Sequence, residues 1–306
     1  MAIIDFIQEL NNKGIEITFS EGKLKYSGPE ENITPELLEK LKSNKGNLIK
    51  YLWPKELDIL MPINPAGNKT PLFVIHGDNG NYIISDYLGS DQPLYGFFHP
   101  GSEGEAIPYK SVRHMASVYL EKILAVWPSG PYYLLGYSFG GLLAFDMAVQ
   151  LQKMGKQVPF LVFIDTYSPL SKEPFRWEGS LSATIRLQIL RPLRRGLKHK
   201  LMYWNCLSYV LRKKPVPVEK RSEYLRDKYN ALFKKYQPEK FDGNLLLFRA
   251  SDTASSFRYL GWETLVNDIK LVEIDGKHLD VFIGEERTDL LKAEIGKYLT
   301  EIRDLN

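Results

Sequence analysis

An α/β fold built on a mostly parallel sheet, with a small α+β unit ahead of it, is what this sequence predicts. Three observations carry that expectation. From about residue 57 onward, short apolar runs alternate with amphipathic stretches, the pattern of parallel strands joined by crossover helices. Residues 1–53 follow a shorter rhythm of helix, hairpin, helix and helix. Between the two, Pro54, Pro62, Pro65 and Pro71 punctuate a linker that runs into the first strand of the larger unit.

In the first unit, Ile3, Ile4, Phe6, Ile7 and Leu10 recur at helical spacing, and Asn11-Asn12-Lys13-Gly14 stops that helix. Two alternating runs, Ile15–Phe19 and Lys23–Tyr26, meet at Ser20-Glu21-Gly22 as a hairpin. Thr34 is a candidate N-cap with Pro35 at the first helical position, and Leu37, Leu38 and Leu41 make the apolar stripe that follows. Lys45–Trp53 supplies a last short helix. Fifty residues of this kind bury a marginal core, so such a unit tends to bind something. In the second unit, strands are expected near 58–63 and over 72–76, 93–98, 132–135, 159–164, 244–249 and 270–274. Helices are expected over 111–127, 140–154 and 288–302. Residues 170–240 interrupt the alternation as an insert.

Composition narrows the function. With 306 residues, 44% of them apolar and 25% charged, the chain has the make-up of a globular protein of one or two domains. Forty Lys and Arg against 37 Asp and Glu leave a formal charge of +3, too even for a dedicated nucleic-acid binder. The balance is uneven in position, since the 170–240 insert holds 18 basic and 6 acidic residues. Five His and one Cys speak against a metal cluster or a disulfide framework and make a reducing cytoplasm the expected compartment. The start lacks the basic region of a signal peptide, and no uncharged apolar run approaches a membrane span.

The strongest local signal is Gly136-Tyr137-Ser138-Phe139-Gly140-Gly141, set between an apolar strand and a helix. A sharp strand-to-helix turn lifts a serine hydroxyl above the sheet, and small residues two places before and after it let the backbones pass. Ser138 is therefore the candidate nucleophile. Its base is expected to be His278, directly after the strand at 270–274. His114 and His199 read as helix-face residues and His99 as structural. Two carboxylates compete to orient the base, Asp165 after the strand at 160–164 and Asp252 after the strand at 244–249, and spacing alone does not separate them. The loop His76-Gly77-Asp78-Asn79-Gly80-Asn81 follows the first buried strand and can turn a backbone N–H toward the serine, with the Phe139 amide as second oxyanion donor. A phosphate-binding loop is the rival there, but the stretch lacks the Gly-Lys-Ser/Thr ending and the G-x-G-x-x-G spacing.

Taken together, Pro71-Leu72-Phe73-Val74-Ile75-His76-Gly77, Gly130-Pro131-Tyr132-Tyr133-Leu134-Leu135-Gly136-Tyr137-Ser138-Phe139-Gly140-Gly141, Ile164-Asp165 and Gly276-Lys277-His278 resemble the type I thioesterase domains of nonribosomal peptide and polyketide synthases. The resemblance covers residues 57–306 and implies an α/β-hydrolase fold with a helical lid at 170–240. It also implies Asp165 as the acid and the Asp78 amide as the loop's oxyanion donor. The substrate it implies is an acyl or peptidyl chain presented on carrier-bound 4'-phosphopantetheine, with no cofactor or metal of the enzyme's own. A basic lid, densest at Arg191, Arg194 and Arg195, suits an acidic carrier protein. Cys206, beside Trp204 and Leu207, reads as a small buried hydrophobe.

One departure stands out: the family's loop usually runs His-Pro-small-Gly-Gly, and here Gly77 and Asp78 replace the Pro and the small residue. The Asp78 carboxylate is expected to point outward as a cap, the alternative being that it orients a cationic nucleophile. Residues 1–53 resemble TubC-type N-terminal docking domains through Phe6–Gly14, Gly22-Lys23-Leu24-Lys25-Tyr26 and Thr34-Pro35-Glu36-Leu37-Leu38. The implied partner is the C-terminal segment of an upstream megasynthase subunit, added as a strand to the hairpin edge and faced by Lys23 and Lys25. The expected activity is release of the chain by hydrolysis, cyclisation or transfer to an external nucleophile. The alternatives are an editing thioesterase that clears stalled carriers and a docked scaffold without activity.

Overall fold

The computed structural model describes residues 3–304 except 22, 58, 172–203, 254 and 256. Helix α1 (Ile3–Asn12) buries Phe6 and Leu10 and ends at Gly14, whose φ of +66° suits a residue without a Cβ. Strands β1 (Glu16–Ser20) and β2 (Lys23–Ser27) pair antiparallel from Glu16 opposite Ser27 to Ser20 opposite Lys23. The Thr34 hydroxyl accepts from the Leu37 amide at 3.3 Å, and Pro35 opens α2 (Pro35–Ser43). A short α3 (Lys45–Tyr51) follows.

Phe6, Leu10, Ile15, Leu37, Leu41 and Leu48 form the buried core of this unit. So small a core leaves the unit marginal by itself. The unit gains further support from its neighbour. The Trp53 ring lies 5.2 Å from Phe19 of β1 and 5.6 Å from Tyr95, which stacks in turn on Phe73 at 5.6 Å. Lys45 Nζ adds hydrogen bonds to the Gly67 carbonyl and to Asn68 Oδ1, both at 3.3 Å.

The large sheet comprises β3 (Leu60–Asn64), β4 (Leu72–Ile75), β5 (Leu94–Phe97), β6 (Tyr133–Tyr137), β7 (Phe160–Ile164), β8 (Asn244–Ala250) and β9 (Asp268–Ile274). Among the described residues its order is β3-β5-β4-β6-β7-β8-β9. Among the described strands only β3 runs antiparallel, on the edge, where the missing N–H of Pro62 costs no central ladder bond. Helices α4 (Gly80–Leu88), α5 (Val112–Val126), α6 (Phe139–Lys153), α7 (Val218–Lys235) and α8 (Glu285–Asp304) belong to the same unit.

Strand residues alternate between two cores, which is why the central strands read as continuous apolar runs. Phe73, Ile75, Leu134, Leu161 and Phe163 join a face that includes residues of α5, α6 and α7. Leu72, Val74, Leu135, Val162 and Ile164 join the other, with Ile84 of α4 and Leu291, Ile295 and Leu299 of α8. Helix α4 is absent from the sequence-level expectation, which gave residues 76–81 as a loop. Its buried face is Gly80, Asn81, Ile84 and Ser85, with a single large apolar residue and so no periodicity to detect. Within the insert, α7 buries Tyr224, Leu225, Tyr229, Leu232 and Phe233, and Cys206 is buried in the same core. Among the described residues no helix is long and apolar enough to cross a membrane.

Candidate active site

Parallel strands bring their C-terminal ends to one edge, and the candidate residues gather there: Asp78 after β4, Ser138 after β6, Asp165 after β7 and His278 after β9. Ser138 has φ +53° and ψ −120°, a left-handed conformation that costs a non-glycine residue about 1–3 kcal/mol. Neighbours hold it there. Its amide donates to the Ile164 carbonyl at 2.9 Å, and the Thr166 hydroxyl donates to its carbonyl at 2.9 Å. A Cβ on Gly140 would lie 2.1 Å from the Ile75 carbonyl oxygen, so the glycine after the elbow is a packing requirement of the β4–α6 contact.

His278 Nε2 lies 2.9 Å from Ser138 Oγ, and His278 Nδ1 lies 2.7 Å from Asp165 Oδ2. Asp165 is 1% exposed. Its carboxylate also accepts from the Ala250 amide at 3.1 Å and from the Thr253 hydroxyl at 3.0 Å. A carboxylate with no proton to give fixes the imidazole tautomer: Nδ1–H donates to Asp165, and the Nε2 lone pair is left facing the serine hydroxyl. Tyr137 braces the base, its ring stacked on His278 at 5.0 Å and 16°, its hydroxyl donating to the His278 carbonyl at 2.9 Å. Sequence reasoning missed both Tyr137 and Thr253. Tyr137 is the variable residue beside the serine, and Thr253 sits in a loop whose contact with Asp165 spans 88 residues. Asp252, the competing acid, is exposed, and its amide donates to the Gly276 carbonyl at 3.0 Å.

The two expected oxyanion donors lie in register. Ile75 pairs with Gly136, so Asp78 and Phe139 each sit three residues beyond paired positions on adjacent strands. The Asp78 carboxylate corrects the expectation of a helix cap: Oδ2 lies 2.8 Å from His99 Nδ1 and Oδ1 accepts the His99 amide at 3.4 Å, while the start of α4 has no side-chain cap. The His99 ring lies 4.1 Å from that of His76, which is fully buried and bonded through Nε2 to the Tyr119 hydroxyl at 3.0 Å. Burial, and next the neighbouring His99, hold the His76 imidazole well below the usual histidine range, so it is neutral. His114 behaves as a helix-face residue, its Nδ1 accepting the Lys110 amide at 3.3 Å. His199, Arg191, Arg194 and Arg195 lie outside the described residues.

A concavity of about 440 Å³ lies on the N-terminal unit between β2 and α2. Ile17, Leu24, Leu38 and Leu41 give it an apolar floor, and Lys23, Lys25, Lys42 and Lys45 stand around it. Lys23 and Lys25 are both exposed, and Lys25 also pairs with Glu21 at 3.0 Å.

A serine hydroxyl, an imidazole and a buried carboxylate joined in series at the C-terminal edge of a mostly parallel sheet define a serine hydrolase of the α/β-hydrolase fold. Comparison with known proteins takes this further. The thioesterase domain model matches residues 84–293, and the TubC N-terminal docking domain model matches residues 3–53. The chain belongs to the thioesterase domain family. It is 31% identical over 271 residues to a dimodular nonribosomal peptide synthase of Bacillus subtilis (strain 168), covering 82% of this chain and 11% of that protein. To the malpinin synthetase of Mortierella alpina it is 33% identical over 237 residues, covering 72% of this chain and 3% of that protein. The chain thus spans a small fraction of these relatives' length. Among solved structures, the NocB thioesterase domain from the nocardicin cluster aligns with a TM-score of 0.56 at 21% identity, covering 78% of this chain and 99% of that domain. The surfactin thioesterase domain SrfTE aligns at 0.53 and 16% identity, covering 80% of this chain and 96% of that one. These two likenesses support the fold.

Proposed function

We propose that the chain releases an acyl or peptidyl group from a phosphopantetheinyl carrier protein in natural-product biosynthesis. The observation that carries this is the hydrogen-bonded series Ser138–His278–Asp165 in a chain of the thioesterase family. Ser138 Oγ attacks the thioester carbonyl while its proton passes to His278 Nε2. The Phe139 and Asp78 amides receive the negative oxygen of the tetrahedral intermediate. Collapse expels the pantetheine sulfur, which takes the proton from His278, and leaves an ester on Ser138. A second nucleophile, whether water, a group within the chain or an external amine or alcohol, then attacks the ester carbonyl and gives its proton to His278, which passes it to Ser138 Oγ as the ester bond breaks. Asp165 stays ionised throughout and holds the base. No metal or cofactor takes part in these steps.

Incubating the full chain with an acyl-loaded carrier and following intact mass tests this directly. The expected result is a transient acyl increment located on the Ser138 peptide, together with free holo-carrier. Carrier unloading without any such adduct, or no unloading, would count against it.

Residues 1–53 are proposed to seat a C-terminal segment of an upstream synthase subunit beside β2. An exposed β2 and a groove with an apolar floor and lysine rim support an acidic segment with at least one large apolar side chain. Reversing charge at Lys23 and Lys25 together is expected to weaken binding of such a peptide about tenfold at low salt, with a smaller effect at 0.5 M salt. Fluorescence anisotropy of a labelled acidic peptide measures it, and a salt-independent affinity would contradict the electrostatic part. Arg191, Arg194 and Arg195 remain the proposed carrier-facing cations. A reducing cytoplasm is the proposed compartment, in keeping with a single buried thiol at Cys206.

A further inference from the structure

The loop after β4 contains a physical conflict. On the thioesterase reading, on which this inference rests, the Asp78 amide faces the oxygen that becomes negative, yet the same residue carries a negative side chain. Two like charges a few ångströms apart near a protein surface repel strongly enough to oppose the reaction. In the structure the carboxylate has a partner of its own. Asp78 is held at φ +46°, and its carboxylate meets both the ring and the backbone of His99, at 2.8 and 3.4 Å. Sheet order gives this contact a direction: β5, which leads to His99, adjoins β4 on the side away from β6 and Ser138.

His99 is itself well fixed. Its side chain is 9% exposed, against 50% for Asp78. Its ring packs on neutral His76 and lies edge-on to Tyr229 at 6.0 Å, and the Tyr229 ring packs 4.6 Å from Phe139, the other proposed oxyanion donor. We propose that His99 is a positioning residue that draws the Asp78 carboxylate away from the oxyanion site, leaving the amide alone to face the transition state.

Steady-state kinetics on a short-chain acyl-pantetheine thioester, with the full chain, test this. His99→Ala is expected to lower kcat about 30-fold while KM changes less than about threefold, because the lost interaction acts on the transition state. His99→Asn, which keeps a donor near the Nδ1 position, is expected to recover most of that loss. Asp78→Asn combined with His99→Ala, which removes the freed charge, is expected to run at least about tenfold faster than His99→Ala alone. A structural role for His99 would make the double variant as slow as the single or slower, and that result overturns the proposal. Should the alanine variant not fold, His99→Gln against Asp78→Asn/His99→Gln reads the same difference, and equal rates there overturn it too. A wild-type chain that neither turns over nor acylates would instead defeat the thioesterase reading; an active wild type with an unaffected His99→Ala defeats the charge clamp alone.

Discussion

Ser138→Ala is expected to lower thioester turnover by at least about 10⁴-fold and to remove the acyl-enzyme altogether. Among the described residues, the hydroxyl that faces His278 Nε2, at 2.9 Å, belongs to Ser138, and alanine removes the group that the base deprotonates. The fold should tolerate the change, since its anchoring bonds at this position run through the backbone, from the Ser138 amide to Ile164 and from Thr166 to the Ser138 carbonyl. A thermal melt within a few degrees of wild type, together with intact-mass spectra lacking the acyl increment, is the expected pair of results. An adduct that persists in Ser138→Ala would place the nucleophile elsewhere.

Asp165→Asn is the second large effect, expected to cost about 10³- to 10⁴-fold in kcat with the serine still in place. A carboxylate only accepts, and that property fixes the proton on His278 Nδ1. An amide can donate its own N–H to Nδ1, which moves the imidazole proton to Nε2 and points it at the serine hydroxyl. The base is then blocked rather than absent. The change also disturbs a buried network, because Ala250 and Thr253 both donate to this side chain and one amide face cannot accept. A stability loss of about 1–3 kcal/mol is expected alongside the kinetic one. Single-turnover acylation separates the two, since only folded protein contributes to its rate constant. A variant that acylates within tenfold of wild type would remove Asp165 from the proposed mechanism.

Much of this candidate site is legible in the sequence, for a physical reason. A nucleophile elbow imposes demands on five consecutive residues and on the strand and helix beside them, so Ser138 announces itself locally. His278 and Asp165 are individually weak signals, strengthened by the rule that parallel strands share an edge. Asp165 and Asp252 both satisfy that rule. The family resemblance favours Asp165, and the structure separates the two physically: Asp165 is enclosed by β8 and the Thr253 loop, and Asp252 is exposed. The contact between Asp78 and His99 was out of reach, because it depends on β4 and β5 lying side by side in a register that brings together residues 21 positions apart. Helix α4 was missed for the opposite reason, having a buried face too small and polar to leave a period. On the N-terminal unit, Lys23 and Lys25 looked equivalent in sequence, yet Glu21, four residues before Lys25, engages only that one.

The Trp53 column has a consequence for kinetics at a distance. Because Phe19, Trp53, Tyr95 and Phe73 carry contact from β1 into the large sheet, the β2 groove is mounted on the hydrolase and does not hang from a free tether. For a partner seated in that groove, the only slack is its own linker between the seated segment and its carrier. A flexible linker of n residues spans about 5–6 Å × √n on average, and short ones hold their cargo at roughly millimolar effective concentration. Once the linker exceeds the span it must cover, encounter frequency falls roughly as the −3/2 power of its length. On the proposed function, the aromatic stack would make the length of the upstream linker a rate-setting parameter of release.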